Sequence, residues 1–434
     1  MSISKRFTKY VSQNILGTLG ISCYVIADTF FIAQAAGANG ITILNLALPI
    51  ISLVYAVGAL VGSGAATEYT ILKAQGDKRN ERCFSNAIII LTLISIMFVI
   101  VGLLAPHKVL QLMGGDPVII KEGAGYMRLF LSFTPFFMLN QAFIAFVRND
   151  NDPTLAMVAT LVSTLFNVVF DYIFVFPMKM GIIGAALATV VAPVISMLIC
   201  ALHFFKKGND LHFRWMLPDL KRFVKACQLG FSSFIAEMSS GITIMVLNFL
   251  ILGIAGNIGV AAYGIIANIA IVVTAIYNGI QQGSQPLISE CYGKGDKDSL
   301  RKLLRLVSVT AFATAILVYG ILFVGAEFFV SAFNSENSLE MANYATRGVK
   351  LYFLGYFFAG LNIVLVGFLS ATARAKEAFI ASILRGLIAI IFFAYILAYF
   401  FGFTGVWLSF MAAEAFTLVV ALYFIVRYMK KKTV

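Results

Sequence analysis

Asn167 and Asp171 stand four residues apart in an apolar run, so a helix places both on one face. Asp28 occupies the middle of another such run. An ionisable side chain inside a membrane-length apolar segment is costly, which makes it a functional candidate by default. Two carboxylates and an amide offer hard oxygen donors for Na⁺. They equally suit a shared proton, because two close carboxyls do not both stay ionised cheaply. The competing reading is polar glue between helices, with the acids simply hydrogen-bonded inside the bundle. Glu237 and Glu414 are the acids within apolar runs of the second half. Each either attracts a cationic substrate in a low-dielectric cleft or is a buried partner, Arg385 being the candidate for Glu414. Gln281, Gln282 and Gln285, with Asn248, Asn268 and Asn278, either line a wet cleft or stitch helices together. Gln282 and Asn248 join the two glutamates as cleft candidates. Glu68 and Glu290, near the ends of their runs, read as solvated or salt-bridged.

Enzymatic chemistry finds no footing. The three histidines, His107, His203 and His212, lack metal-ligand spacing. No nucleophile–base arrangement stands out, and Gly58, Gly62 and Gly64 are expected to allow close helix approach or bending rather than phosphate binding. No GxxxxGK[ST] pattern occurs, which argues against ATP-driven transport by this chain alone. Cys23, Cys83, Cys200, Cys227 and Cys291 show no CxxC spacing and read as free thiols. No covalently bound cofactor is expected.

The elements that must position these residues are membrane helices. Of 434 residues, 60% are hydrophobic and 12% charged, about half the charged share of a soluble domain, and the mean hydropathy is +0.92. Segments of roughly 20 apolar residues occur twelve times: near 13–34, 42–67, 84–105, 121–147, 154–176, 181–204, 224–253, 260–286, 304–327, 342–369, 377–400 and 404–426. The net charge of +12 does not point to nucleic acid, because Lys and Arg cluster in alternate connections. Lys73, Lys78, Arg79 and Arg82 fill one; Arg148 another; Lys206, Lys207, Arg214, Lys221 and Arg222 the middle one. Lys294, Lys297, Arg301 and Lys302 follow, then Arg374 and Lys376, and Arg427, Lys430, Lys431 and Lys432 end the chain. The intervening connections hold only Lys108, Lys121 and Lys179. The positive-inside rule then puts both termini in the cytoplasm of a multi-pass plasma-membrane protein. No cleavable signal peptide is expected.

The chain also repeats itself. Ala36-Gly37-Ala38-Asn39-Gly40 returns as Ala255-Gly256-Asn257-Ile258-Gly259, and Gly76-Asp77-Lys78 as Gly295-Asp296-Lys297, both about 219 residues later. Met127-Arg128-Leu129-Phe130 echoes Val349-Lys350-Leu351-Tyr352, and Gly181 and Gly184 echo Gly402 and Gly405. Six spans per repeat insert both halves the same way round, so a pseudo-two-fold axis along the membrane normal relates them. The expected division is a six-helix lobe over 1–204, a cytoplasmic linker over 205–223 and a second six-helix lobe over 224–434.

The run Phe146-Val147-Arg148-Asn149-Asp150-Asn151-Asp152-Pro153, followed by Asn167, Asp171 and Gly181-Ile182-Ile183-Gly184-Ala185-Ala186-Leu187-Ala188-Thr189, resembles multidrug and toxic compound extrusion (MATE) transporters of the bacterial branch. Ala27-Asp28-Thr29-Phe30-Phe31, Gln285-Pro286-Leu287-Ile288-Ser289 and Gly293-Lys294-Gly295-Asp296 fit the same family. The resemblance covers nearly the whole chain. It implies a two-lobed exporter exchanging organic, often cationic, compounds for inward Na⁺ or H⁺ by alternating access. It carries the family's N-lobe cation site onto Asp28, Asn167, Asp171 and Thr189. In the second half the chain departs from the pattern: the seventh-span acid of other branches is Ser240 here, with Glu237 three residues earlier. The expected partners are the bilayer and small organic substrates, the expected state a monomer. A flippase for a lipid-linked precursor is the competing function, and the few Lys and Arg inside spans weigh against its anionic cargo. A receptor or channel without coupling fits the paired acids less well.

Overall fold

The computed structural model describes residues 2–333 and 338–430, so Lys431 and Lys432 of the basic C-terminal cluster lie outside the described residues. Among them the chain is helical, with no strand. Single helices of spanning length are Ile3–Ile32, Asn39–Ala74, Lys78–Leu104, Pro153–Val175, Gly181–Phe205, Lys297–Val324 and Leu339–Ala371. Pro117–Ser132 and Thr134–Asn149 form one further span bent by 44°. Leu220–Gly293 and Ala375–Lys430 are each long enough for two. They fold back at Gly256 and Gly402. Seven single helices, one bent pair and two doubled helices give the twelve spans, in two six-span halves.

Glycine makes these folds possible. Gly37 has φ 56° and ψ −143°, Gly256 φ 59° and ψ −157°, Gly402 φ 56° and ψ −136°. A side chain rarely occupies that region of backbone space. Gly37 and Gly256 are repeat partners. So are Gly181 and Gly402, and Gly76 and Gly295, and each pair shares a positive φ of nearly equal size. The repeat also reproduces details that hydropathy does not reveal. Pro106–Leu112 and Ala326–Phe333 are short helices following the third and ninth spans.

The described residues form two compact units, Ser12–Glu237 with Ser289–Gly295, and Met1–Val11 with Met238–Ile288 and Asp296–Val434. In the first unit, a Cβ on Gly62 would lie 2.8 Å from the Ala142 Cα, and one on Gly64 would meet the Ala226 carbonyl oxygen. Gly62 and Gly64 therefore serve close helix approach, one of the two roles expected of them. In the second unit, Gly283 meets the Tyr10 and Val11 backbone in the same manner; Gly64 and Gly283 are 219 residues apart, the repeat offset. All five cysteines are free.

Candidate cation site and its surroundings

Asp28, Asn167, Asp171 and Thr189 come together inside the first unit, on its first, fifth and sixth spans. Asp28 is 8% exposed, Asn167 1% and Asp171 0%. The Thr189 hydroxyl donates to its own helix, at the Ala185 carbonyl (3.0 Å), and lies 3.4 Å from Asp28 Oδ1. When Asn167 is oriented with Nδ2 donating to Asp171 Oδ2 (3.2 Å), its Oδ1 accepts from the Thr189 N–H (3.2 Å). The carboxyls of Asp28 and Asp171 lie within hydrogen-bonding reach of each other, yet no protein donor reaches Asp171 Oδ1. A buried acceptor of this kind wants a cation or a proton. The donor set is all oxygen apart from the Asn167 amide nitrogen, which suits either.

Two residues near the pair went unnoticed in the sequence. Tyr24 and Tyr126 lie close enough to feel both carboxylates. Tyr24 is one helical turn before Asp28, and that spacing was the available signal; Tyr126 offered none. Glu237 belongs to the same unit and acts electrostatically on Tyr24 and Tyr55.

Glu414 lies in the other unit. Arg385 Nε reaches its Oε1 at 2.8 Å and its Oε2 at 3.0 Å, and Asn362 Nδ2 donates to Oε2 at 2.7 Å. The pair with Arg385 weighed against substrate contact is therefore present, and Arg385 sits on a π-helical turn, Leu384–Ile388. Asn248 has a buried side-chain oxygen without a partner, and Gln282 is half-buried with polar contacts of its own. Glu290 pairs with Lys294 at 2.5 Å.

A second polar centre of the first unit is built on the Arg148–Pro153 run. Asp150 Oδ1 accepts from the Tyr69 hydroxyl (2.6 Å) and Lys73 Nζ (2.5 Å); its Oδ2 accepts from the Asp210 N–H (3.0 Å) and faces His203 Nε2 (2.8 Å). His203 Nδ1 faces Asp152 Oδ2 at 3.2 Å, and Lys206 reaches the same oxygen at 2.5 Å. Both ring nitrogens can donate only in the imidazolium form. Asp152 also caps the fifth span through the Leu155 N–H. Burial pushes the Asp150 carboxyl up, but the bonds from His203, Lys73 and Tyr69 outweigh it and hold the group down at about 2. Asp152 is likewise lowered, burial being outweighed by Lys206, the Leu155 amide and His203. No cluster of His, Cys, Asp and Glu suited to a metal occurs among the described residues.

The MatE family model matches residues 15–173 and 232–396, well over half of the chain. The multidrug export protein MepA of Staphylococcus saprophyticus is 24% identical over 416 residues, covering 95% of this chain and 91% of that protein. The MepA protein of Staphylococcus haemolyticus is 24% identical across all of this chain and 95% of its own length. Among solved structures, an outward-facing multidrug resistance MATE family transporter of the MOP superfamily superposes with a TM-score of 0.93 at 19% identity, covering 100% of this chain and 98% of that one. A MOP superfamily transporter from Pyrococcus furiosus, described as having a binding pocket of reversed polarity, reaches 0.92 at 19% identity over the same shares. At that identity the likeness to solved structures carries the fold alone.

Proposed function

The chain belongs to the MatE family, and from that premise we propose that it is a secondary active antiporter. It exports organic, cationic or amphipathic compounds across the bacterial plasma membrane in exchange for inward H⁺ or Na⁺ by alternating access, with both termini cytoplasmic. It is not an enzyme and needs no bound cofactor. The observation that carries the reading is the buried pair Asp28 and Asp171, with Thr189 and Asn167 around it and one acid oxygen lacking a donor. Such a pair binds one positive charge at low cost and two negative charges at high cost. Loading and unloading that charge couples the ion gradient to the protein's conformation. Glu237, Glu414, Gln282 and Asn248 are the substrate-side candidates, Glu414 acting through its Arg385 pair.

Efflux of a fluorescent organic cation from proteoliposomes, under an imposed H⁺ gradient and separately under a Na⁺ gradient, tests the proposal. One of the two gradients drives efflux in the wild type, and neither drives it in Asp28→Asn or Asp171→Asn at equal incorporation. Gradient-independent movement of an anionic lipid-linked cargo, with no efflux of the cation, points instead to the flippase.

A further inference from the structure

The segment joining the sixth and seventh spans is fixed on one side and bare on the other. Leu211 is buried in the first unit's core. Ser85 Oγ accepts from the Arg214 N–H (2.8 Å) and contacts the His212 carbonyl (3.4 Å), while Asn86 exchanges two hydrogen bonds with the Asp219 backbone (2.8 and 3.2 Å). Ser85 and Asn86 are the fifth and sixth residues of the helix starting at Glu81. At 1.5 Å per residue, the segment is tethered roughly 6 Å along that spanning helix from its start. It therefore runs level with the first turn of that helix, beside the start of the apolar run expected from residue 84.

Large apolar side chains are among its exposed residues. Trp215 and Leu217 are each 88% exposed and Phe213 43%. They lie within five consecutive residues of an irregular stretch. The Phe213 and Trp215 rings meet edge to face at 5.4 Å. Phe205 and Leu220, also exposed, continue the apolar surface toward the neighbouring spans. Interleaved with them are Lys206, Lys207, Arg214, Lys221 and Arg222, five cations against the two acids Asp210 and Asp219. Of the five, Lys206, Arg214 and Arg222 pair with acids of the protein, whereas Lys207 and Lys221 are exposed. Tryptophan beside lysine at this depth is the composition of a membrane–water interface, and surplus cations there favour anionic headgroups.

We propose that residues 205–221 form a headgroup-layer anchor, with Phe213, Trp215 and Leu217 among the upper acyl chains and Lys207 and Lys221 on the phosphates of anionic lipids. The inference needs only a chain that spans the bilayer, not the antiport, and its test uses neither substrate nor ion gradient. The full chain is reconstituted in phosphatidylcholine vesicles and in vesicles containing phosphatidylglycerol. The Trp215 fluorescence is read as the difference between the wild type and Trp215→Phe, which removes the signal of the buried Trp407. Lipids brominated near the headgroup are expected to quench that difference roughly twofold, while acrylamide reaches it poorly, because an interfacial indole sits at headgroup depth. Phosphatidylglycerol should strengthen the lipid quenching, and Lys207→Gln with Lys221→Gln should remove the strengthening. Free acrylamide access without bromolipid quenching overturns the anchor. Equal quenching in neutral and anionic vesicles overturns its charge preference.

Discussion

Asp28 and Asp171 face each other where water is scarce, and their neighbours supply fewer donors than two carboxylates need. Replacement by asparagine keeps the shape and abolishes the ability to gain and lose charge. Asp28→Asn and Asp171→Asn should each lower gradient-driven efflux to the level of empty vesicles while leaving inserted, folded protein. Asn167→Ala and Thr189→Ala remove neutral partners and should reduce coupling without abolishing it. Transport unchanged in both Asp variants would mean the acids are glue. Asp150 makes a different prediction. It accepts four hydrogen bonds from Tyr69, Lys73, His203 and the Asp210 amide, so Asp150→Asn removes one of two carboxylates from His203, which keeps Asp152, and from the half-buried Lys73, which keeps Asp210. Losing hydrogen bonds to a charged group in this way costs about 1.5–3 kcal/mol. The carboxyl is depressed from its ordinary 3.8 to about 2. Its stabilising contribution is thus complete above 3.8 and fades as pH falls toward 2. Thermal unfolding in detergent should show a wild-type advantage over Asp150→Asn that is flat with respect to this group from pH 8 to 5 and shrinks only below pH 4. An advantage already lost by pH 5 would contradict the depressed carboxyl.

At the scale of elements, glycine acts by two separate mechanisms that one substitution distinguishes. Gly256 has open space around its would-be Cβ but a positive φ, so Gly256→Ala meets only backbone strain, about 1–3 kcal/mol. Gly64 lies within a helix, where a Cβ would collide with the Ala226 carbonyl, so Gly64→Ala must separate two helices. Gly253, in helix with nothing near its Cβ, is the control. Gly253→Ala should leave the melting temperature unchanged or raised, while the other two lower it; a neutral Gly256→Ala would remove the strain argument. The sequence revealed the turn glycines as markers of the repeat, at offsets of 219 to 221 residues, but not that they sit at turns. It revealed Asn167 with Asp171 because helical spacing is local, and Asp28 and Glu414 because charge is rare in apolar runs. Pro135, in the first turn of the helix after the bend at Phe133, was a signal that the continuous apolar run 121–147 concealed, whereas nothing marked the π turn carrying Arg385. Nor did the sequence pair His203 with Asp150, 53 residues away in the connection between the fourth and fifth spans. Contacts of that kind follow from packing, which no window of the sequence contains. The repeat is silent there too. Thr372 and Arg374 stand where the first half has Asp150 and Asp152, so symmetry gave no second example to learn from.

The whole molecule repeats its backbone more faithfully than its charges, and that difference bears on how it works. Orientation comes first: single cysteines at Asn39, Gly115 and Asn257 in a cysteine-free background should be labelled from outside whole cells, and one at Gly208 should not. The reverse pattern would invert the topology. The acids are distributed unequally over this symmetric frame. Asp28, Asp171 and their two neutral partners lie in the first unit, and Glu414, at the repeat position of Pro193, has no acidic counterpart there. On the proposed antiport, this distribution leads us to expect that ion and substrate compete through the conformation of the first unit, not necessarily at one shared atom. A cation that binds Asp28 and Asp171 more tightly in one state favours that state by its differential affinity. If substrate favours the other state, each weakens the other by the same factor at equilibrium. Substrate affinity measured in detergent, across pH at fixed Na⁺ and across Na⁺ at fixed pH, reads this coupling directly. One of the two variables should change the affinity, by about 5- to 150-fold if the coupling has the usual size, and the dependence should vanish in Asp171→Asn. The variable that acts identifies the ion. A dependence that survives in both Asp28→Asn and Asp171→Asn would move the coupling site to Glu237 or to Glu414 with Arg385, and an affinity indifferent to both variables would remove the linkage altogether.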